Sequence, residues 1–215
     1  MDWNLLSALT PDERRSVLSL ARRRKFKKGE VIFHEGDPGD TLHLIDKGHV
    51  AMRVTTPMGD VATLLVTGPG DFFGELAVVG QTAARNSTVV ALDDCETLAL
   101  HRDQVDELRR GHTAIDRVLI DALTQEVRRM SARLLEALYV PVDKRLYRRL
   151  ADLGQLFAES GGGIPLTQED LAAMAGTTRP TANRVVKAAE EAGLIRTARG
   201  RFQITNLDGL IKRGR

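Results

Sequence analysis

The sequence predicts an α+β chain in three parts: a block of short strands, one long helix, and a small helical unit closing on a hairpin. Three observations carry this expectation. Nine glycines fall within the 52 residues from Gly29 to Gly80, separating short runs of strand formers. The 26 residues from Thr113 to Leu138 contain neither Gly nor Pro and repeat apolar residues at spacings of 3 and 4. Beyond residue 138, 13 Lys/Arg meet 8 Asp/Glu across a helix, a glycine turn, a second helix and two short strands.

Taken in order, residues 11–24 read as a helix with Val17, Leu18 and Ala21 on its apolar side. Strand candidates follow at Val31–Phe33, Thr41–Ile45, Val50–Val54, Val61–Val66, Thr88–Leu92 and Thr97–Leu100. Short strands divided by Gly, Asp and Pro every ~8–12 residues read as a sandwich or barrel. Lys47-Gly48 and Met58-Gly59-Asp60 read as hairpin turns, where glycine accepts a positive φ. Residues 102–110 read as helix. In the long helix that follows, Ile120, Leu123, Val127, Met130, Leu134 and Ala137 form an a/d seam. Such a seam serves either a coiled-coil dimer or packing on the chain's own domain; the polar remainder of the helix favours the dimer. Pro141 ends it. Val142, Leu146, Leu150 and Leu153 mark the next helical face, and Gly161-Gly162-Gly163 breaks the chain. The expected domains are residues 1–111, a dimerisation helix and hinge over 112–140, and a basic helical unit over 141–215.

Net charge is +2, which by itself argues weakly against a polyanion partner. Its distribution argues the other way. Residues 1–110 hold 14 Lys/Arg and 17 Asp/Glu, a net of −3, whereas residues 111–215 hold 17 and 12, a net of +5. No apolar run approaches the ~20 residues of a membrane span, so no membrane partner is expected. The acidic start, Met1-Asp2-Trp3-Asn4, is unlike a signal peptide. The single Cys95 excludes an intrachain disulfide framework and any all-cysteine zinc or iron–sulfur site, and points to a reduced, cytoplasmic setting. Enzyme motifs are missing. The glycines of Gly68–Gly74 have the wrong spacing for a dinucleotide fingerprint, and His34-Glu35 lacks a second histidine. No nucleophile–base arrangement or P-loop lysine stands out.

The C-terminal unit reads as a winged helix-turn-helix. Thr167-Gln168-Glu169-Asp170 caps the first helix, Gly176 makes the turn, and Arg179-Pro180 opens the second helix, which stops at Gly193. Two short strands around Arg199-Gly200 form the wing. Ala182 and Val185 supply the buried face of the second helix. Arg179, Thr181, Asn183, Arg184 and Lys187 remain to face outward. Arginine forks onto guanine and asparagine pairs with adenine. Lys187, Arg199, Arg201 and Thr167 are the candidate phosphate contacts.

In the strand block, Gly70-Asp71-Phe72-Phe73-Gly74-Glu75-Leu76-Ala77 precedes Ala84-Arg85-Asn86-Ser87-Thr88. A glycine turn admits an anion close to the backbone, and Arg85 can complete a phosphate site. Glu75 can accept from a sugar hydroxyl. A plain Glu75–Arg85 ion pair reads the same residues equally well.

With these motifs in this order, the chain resembles the cyclic-AMP receptor protein/fumarate-nitrate regulator (CRP/FNR) family of bacterial transcription factors. The resemblance rests on Gly36-Asp37-Pro38-Gly39-Asp40, Lys47-Gly48, Phe73-Gly74-Glu75-Leu76 with Arg85, the long helix, and Thr178-Arg179-Pro180-Thr181-Ala182-Asn183-Arg184. It implies a double-stranded β-helix (a cyclic-nucleotide-binding β-roll), a dimerisation helix and a C-terminal winged helix-turn-helix. It also implies a homodimer on a pseudo-palindromic duplex, cAMP as allosteric effector, and RNA polymerase as a partner.

Residue by residue, the resemblance puts Glu75 on the ribose 2′-hydroxyl and Arg85 on the cyclic phosphate, with Gly74 and Leu76 in the same cassette. Asn86 stands where the family usually has Ser or Thr. Met130 and Ser131 match two positions that are Thr-Ser in the cAMP-responsive archetype, where they hold the adenine. Arg179 and Arg184 match two arginines that read base edges, and Pro180 replaces a base-reading glutamate between them. The iron–sulfur branch needs several cysteines. For the haem branch, His34, His43, His49, His101 and His112 qualify only by being histidine, so no metal, haem or cluster is expected.

Overall fold

The computed structural model describes residues 3–7, 9–80, 84–158 and 163–215. The Met1-Asp2 start and the Gly161-Gly162 part of the glycine break lie outside them. The chain forms two compact units, residues 1–54 with 66–128 and residues 55–65 with 129–215.

In the first unit, a 3-10 turn at Asn4–Leu6 precedes helix α1 (Pro11–Leu20). Thr10 and Glu13 close a capping box on α1 and Pro11 opens its first turn. The strands that follow along the chain are β1 (Arg22–Phe26), β2 (Val31–Phe33), β3 (Thr41–Lys47), β4 (Val50–Thr55), β5 (Val61–Thr67, most of it in the 55–65 segment assigned to the second unit) and β6 (Phe72–Phe73). Helix α2 (Glu75–Val79), β7 (Thr88–Ala91), β8 (Cys95–His101) and α3 (Arg102–Gly111) follow. The expectation of helix through residue 24 is corrected here. Each residue from Arg22 to Phe26 pairs antiparallel with β8, and this ladder takes the backbone groups that a helix would have used. The strands make two four-stranded sheets, ordered β1-β8-β3-β6 and β2-β7-β4-β5.

Strand β3 is buried on both faces. Ile45 joins Phe26, Phe73, Cys95, Val50, Val89 and Ala91 between the sheets. Leu42 and Leu44 point the other way, into a cluster with Trp3, Leu6, Leu98, Leu100, Leu108, Ile115 and Leu119. Burying both faces of a strand explains why its sequence shows little alternation.

Helix α4 (Thr113–Tyr139) contributes Ile115 and Leu119 to that cluster and then leaves the first unit. The seam residues Ile120, Val127, Met130 and Leu134 are exposed, each by more than 60%. Ala137 is also exposed and Leu123 partly so.

The second unit contains α5 (Val142–Leu156), α6 (Gln168–Met174), α7 (Arg179–Glu191), β9 (Ile195–Ala198), β10 (Arg201–Ile204) and α8 (Leu207–Gly214). Thr167 caps α6 in a box with Asp170. Gly176 takes φ +62°, and the Thr177 N–H donates to the Ala172 carbonyl at 2.9 Å, closing the turn. Pro180 sits second in α7, where a missing N–H costs nothing. Ala182, Val185, Val186 and Ala189 bury the inner face of α7. β9 and β10 pair in register from Ala198 and Arg201, forming the wing. Glu190 ties the wing to α7 by accepting from the Thr197 N–H at 2.8 Å. Helix α8 was not expected from the sequence. It packs on α5, and a Cβ at Gly214 would fall 2.9 Å from Arg148 Cγ, so that approach needs glycine.

The observed fold is thus a β-roll, a long helix and a winged helix-turn-helix. No helix among the described residues is long and apolar enough to cross a membrane.

Candidate functional site

The first candidate site begins where β6 runs into α2. Gly74 takes φ +84°, and a Cβ there would lie 2.7 Å from Arg85 Nη1 and 2.8 Å from the Thr41 carbonyl. Only glycine lets these groups converge. Arg85 is 5% exposed. Its backbone is pinned to the Gly36–Asp40 turn: its N–H donates to the Asp37 carbonyl and its carbonyl accepts from the Gly36 N–H, both at 2.9 Å. Its Nη1 donates to the Gly74 carbonyl at 3.2 Å, and Nη2 to Thr41 Oγ1 at 2.8 Å. The guanidinium carbon lies 4.0 Å from the Phe33 ring centroid.

Among the described residues, Arg85 Nε is buried and has no hydrogen-bond partner. A buried donor left unpaired is costly unless something else meets it. Burial weakens the hold of Arg85 on its proton, while Asp40, Glu75 and Asp37 strengthen it. Burial pushes the Glu75 carboxyl above the ordinary carboxylate range, against the pull of its own amide and of Arg85. Both side chains are therefore held in a medium where charge is strongly felt.

Arg85 also lines a cavity of about 480 Å³ with Phe33, Thr41, His43, Asp40 and Arg24. His43 is buried, stacked on Phe73 at 4.9 Å and hydrogen-bonded through Nδ1 with Thr97 Oγ1 at 3.0 Å. Burial, with the Arg85 and Arg24 charges, lowers its pKa to about 3, so the ring is neutral. The structure thus brings Gly74 and Arg85 together, with Glu75 in reach of the same charge. Leu76 and Asn86 are exposed beside them. Met130 and Ser131 lie on the exposed part of α4, in the second unit. Thr41 and Phe33, which fix the Arg85 guanidinium, were not singled out from the sequence. They come from strands far from the cassette, and no local motif marks them. Among the described residues no His, Cys, Asp or Glu cluster of three or more gathers to hold a metal.

The second candidate site is the outer face of α7 with the wing. A groove of about 430 Å³ is lined by Thr167, Gln168, Glu169, Arg179, Arg199 and Arg201, among others. Arg179 is exposed, with its Nε 3.8 Å from the Glu169 carboxylate. The Thr167 hydroxyl donates to the Asp170 carboxylate at 2.7 Å, so capping already engages it. Arg184 lies outside the groove and is exposed. Its Nη2 and Nη1 donate to the Asp143 carboxylate at 2.7 and 3.4 Å. Thr181 Oγ1 lies 3.1 Å from Thr178 Oγ1, and Asn183 is partly exposed. Lys187 is exposed on the same helix. Gln168 and Asp143 are additions that the sequence pattern did not mark.

Known proteins match both halves of the chain. The cyclic nucleotide-binding domain matches residues 23–112, and the Crp-like helix-turn-helix domain matches residues 144–213. The cyclic AMP receptor protein of Thermus thermophilus is 32% identical over 200 residues, covering 93% of this chain and 91% of that protein. A CRP-like cAMP-activated global transcriptional regulator of Mycobacterium tuberculosis is 29% identical over 195 residues, covering 88% and 87%. A solved CRP/FNR-family transcriptional regulator from Thermus thermophilus superposes with a TM-score of 0.73 at 26% identity, covering 90% of this chain and 98% of that one. The chain belongs to the CRP/FNR family of transcriptional regulators, with a cyclic-nucleotide-binding domain and a helix-turn-helix DNA-binding domain.

Proposed function

We propose that the chain works as a homodimer whose DNA affinity is set by cAMP bound at the Gly74–Arg85 cassette. The carrying observation is the convergence of Gly74 and a buried Arg85 whose Nε lacks a partner among the described residues. That donor fits a small anion such as a cyclic phosphate. Arg85 takes the phosphate and Glu75 accepts from the ribose 2′-hydroxyl, with Gly74, Leu76 and Asn86 completing the cassette. Met130 and Ser131 approach the base from α4. The exposed seam of Ile120, Leu123, Val127, Met130, Leu134 and Ala137 pairs two copies. Arg179 and Arg184 read base edges, Thr181 and Asn183 support them, and Thr167, Lys187, Arg199 and Arg201 meet phosphates. The domains are 1–111, 112–140 and 141–215. Effector binding shifts the equilibrium because it binds the DNA-competent state more tightly.

A second reading has its own support. Asn86 and Met130 depart from the hydroxyl residues that cAMP-responsive relatives carry, which suits a regulator using another effector or none. Calorimetry with cAMP and cGMP, joined to duplex binding with and without each, separates the readings. The cAMP reading expects binding that Arg85→Ala abolishes without unfolding the chain, and DNA affinity that rises with cAMP. Unchanged DNA affinity at saturating cAMP sinks it, because linkage is reciprocal.

A further inference from the structure

We propose that Asp143 is a specificity-determining residue of the DNA interface: its carboxylate holds Arg184 for base reading and withholds it from the phosphate backbone. The inference rests on the reading of Arg184 as a base reader given above.

Asp143 stands in the first turn of α5, whose Leu146 and Leu150 are fully buried. α5 packs on α7, whose Ala182 and Val185 are also buried. The cores of the two helices therefore fix Asp143 opposite Arg184, although both side chains are exposed. The contact is two-pronged, at 2.7 and 3.4 Å. An exposed arginine on a helix samples many rotamers, and a forked carboxylate selects one of them. The guanidinium carries five N–H donors. Two are engaged by Asp143, so three remain for a base edge.

The surrounding charges follow the same division. The two arginines assigned to bases each stand beside an acid, Arg184 by Asp143 and Arg179 by Glu169. Among the described residues, Lys187, Arg199 and Arg201 form no ion pair. Phosphate attraction is long-range, independent of sequence and proportional to uncompensated positive charge. An arginine already neutralised by a carboxylate adds little to it. Docked against a guanine, the same arginine gains short, directional bonds through the donors that Asp143 leaves open, a gain that does not depend on net charge. Asp143 thus makes the contribution of Arg184 conditional on the right base.

The test uses the full chain, with Asp143→Asn, Asp143→Ser, Arg184→Ala and the Asp143→Asn/Arg184→Ala double variant. The probes are a duplex selected from a random library by the wild type and a scrambled duplex of equal composition. Binding is read by fluorescence anisotropy across a KCl series, with and without cAMP. Either Asp143 variant is expected to tighten scrambled-duplex binding about threefold and to steepen its salt slope by about 0.9, as one added phosphate contact does. The selected-to-scrambled ratio should fall about fivefold, the upper range for an exposed pair. None of these changes should survive in the Arg184→Ala background. A ratio and slope unchanged in both Asp143 variants, while Arg184→Ala still relaxes preference at one base pair, overturns the proposal and leaves the base reading intact. If Arg184→Ala relaxes no base preference, the reading of Arg184 fails and takes the proposal with it. A loss of melting temperature alone, with ratio and slope unmoved, marks Asp143 as an acid that stabilises the first turn of α5 and nothing more, and overturns the proposal.

Discussion

Glu75 holds a carboxyl that burial disfavours in its charged form, and no ion pair compensates it fully. Its folded pKa lies above the ordinary value of 4.5. Between those two values the folded chain binds more protons than the unfolded one, so stability falls as pH rises through that window. Below it the cost vanishes, and above it the cost is complete. Glu75→Gln is therefore expected to raise the melting temperature at pH 7 and to give no gain near pH 4. It should also weaken cAMP binding about tenfold or more, the worth of a charge-assisted hydrogen bond. Scanning calorimetry at both pH values and titration calorimetry measure this; equal stability effects at the two pH values would show a solvated carboxyl. At the DNA face, Arg179→Ala should cost ~1–3 kcal/mol on a selected duplex and relax preference at one base pair. A uniform loss across sequences would instead make Arg179 a phosphate contact. Residue types and spacing singled out Gly74, Glu75, Arg85, Arg179 and Arg184, and the family resemblance supplied the roles proposed for them. The partners that orient them were not legible, because Thr41, Phe33 and Asp143 reach them through the fold rather than along the chain.

At the scale of elements, capping and turn chemistry carried most of the reading. The Thr167–Asp170 box, Gly176 and Gly193 punctuate the helix-turn-helix where local backbone demands put them. Misreadings occur where tertiary pairing decides. Arg22–Phe26 became a strand through its ladder with β8, and α8 forms because its buried Leu210 and close glycines seat it on α5. Pro141 marks the break between α4 and α5, but a charge network sets that corner. Glu136 of α4 accepts from Arg148 Nη1 at 2.8 Å and from Arg149 Nη2, and Arg149 Nη1 also donates to Asp152 at 2.7 Å. The Arg149 side chain is only 8% exposed. Removing Glu136 leaves the nearly buried Arg149 with only the exposed Asp152 as its ion partner, so Glu136→Ala should destabilise the second unit by roughly 2 kcal/mol. Arg148→Ala, at a third exposed, should cost at most about 1 kcal/mol. Urea unfolding followed by circular dichroism distinguishes them; equal losses would mean that the corner is held by packing instead.

For the whole molecule, the near-neutral charge is the sum of a −3 first half and a +5 second half, so the net positive charge that favours a polyanion sits in the second half. In the homodimer proposed above, two such halves meet one operator. The α4 seam supplies the means. Ile120, Val127, Met130 and Leu134 leave an apolar stripe about 21 Å long at 1.5 Å per residue, while Ile115 and Leu119 are already buried in the first unit. A stripe of this kind on an otherwise polar helix is stable in water when a second copy covers it. Joining two basic units makes the second DNA contact intramolecular, which multiplies affinity without new contacts per copy. Val127→Glu with Leu134→Glu places like charges across that seam and is expected to give a monomer by sedimentation. The same variant should lose about a hundredfold or more in affinity for the selected duplex, and its salt slope should fall to about half, because half the phosphates are met. The buried Gly74–Arg85 cassette is untouched, so each chain should retain the fold of its first unit. A variant that stays dimeric, or a monomer that binds the duplex with the wild-type slope, places the source of affinity elsewhere than in this seam.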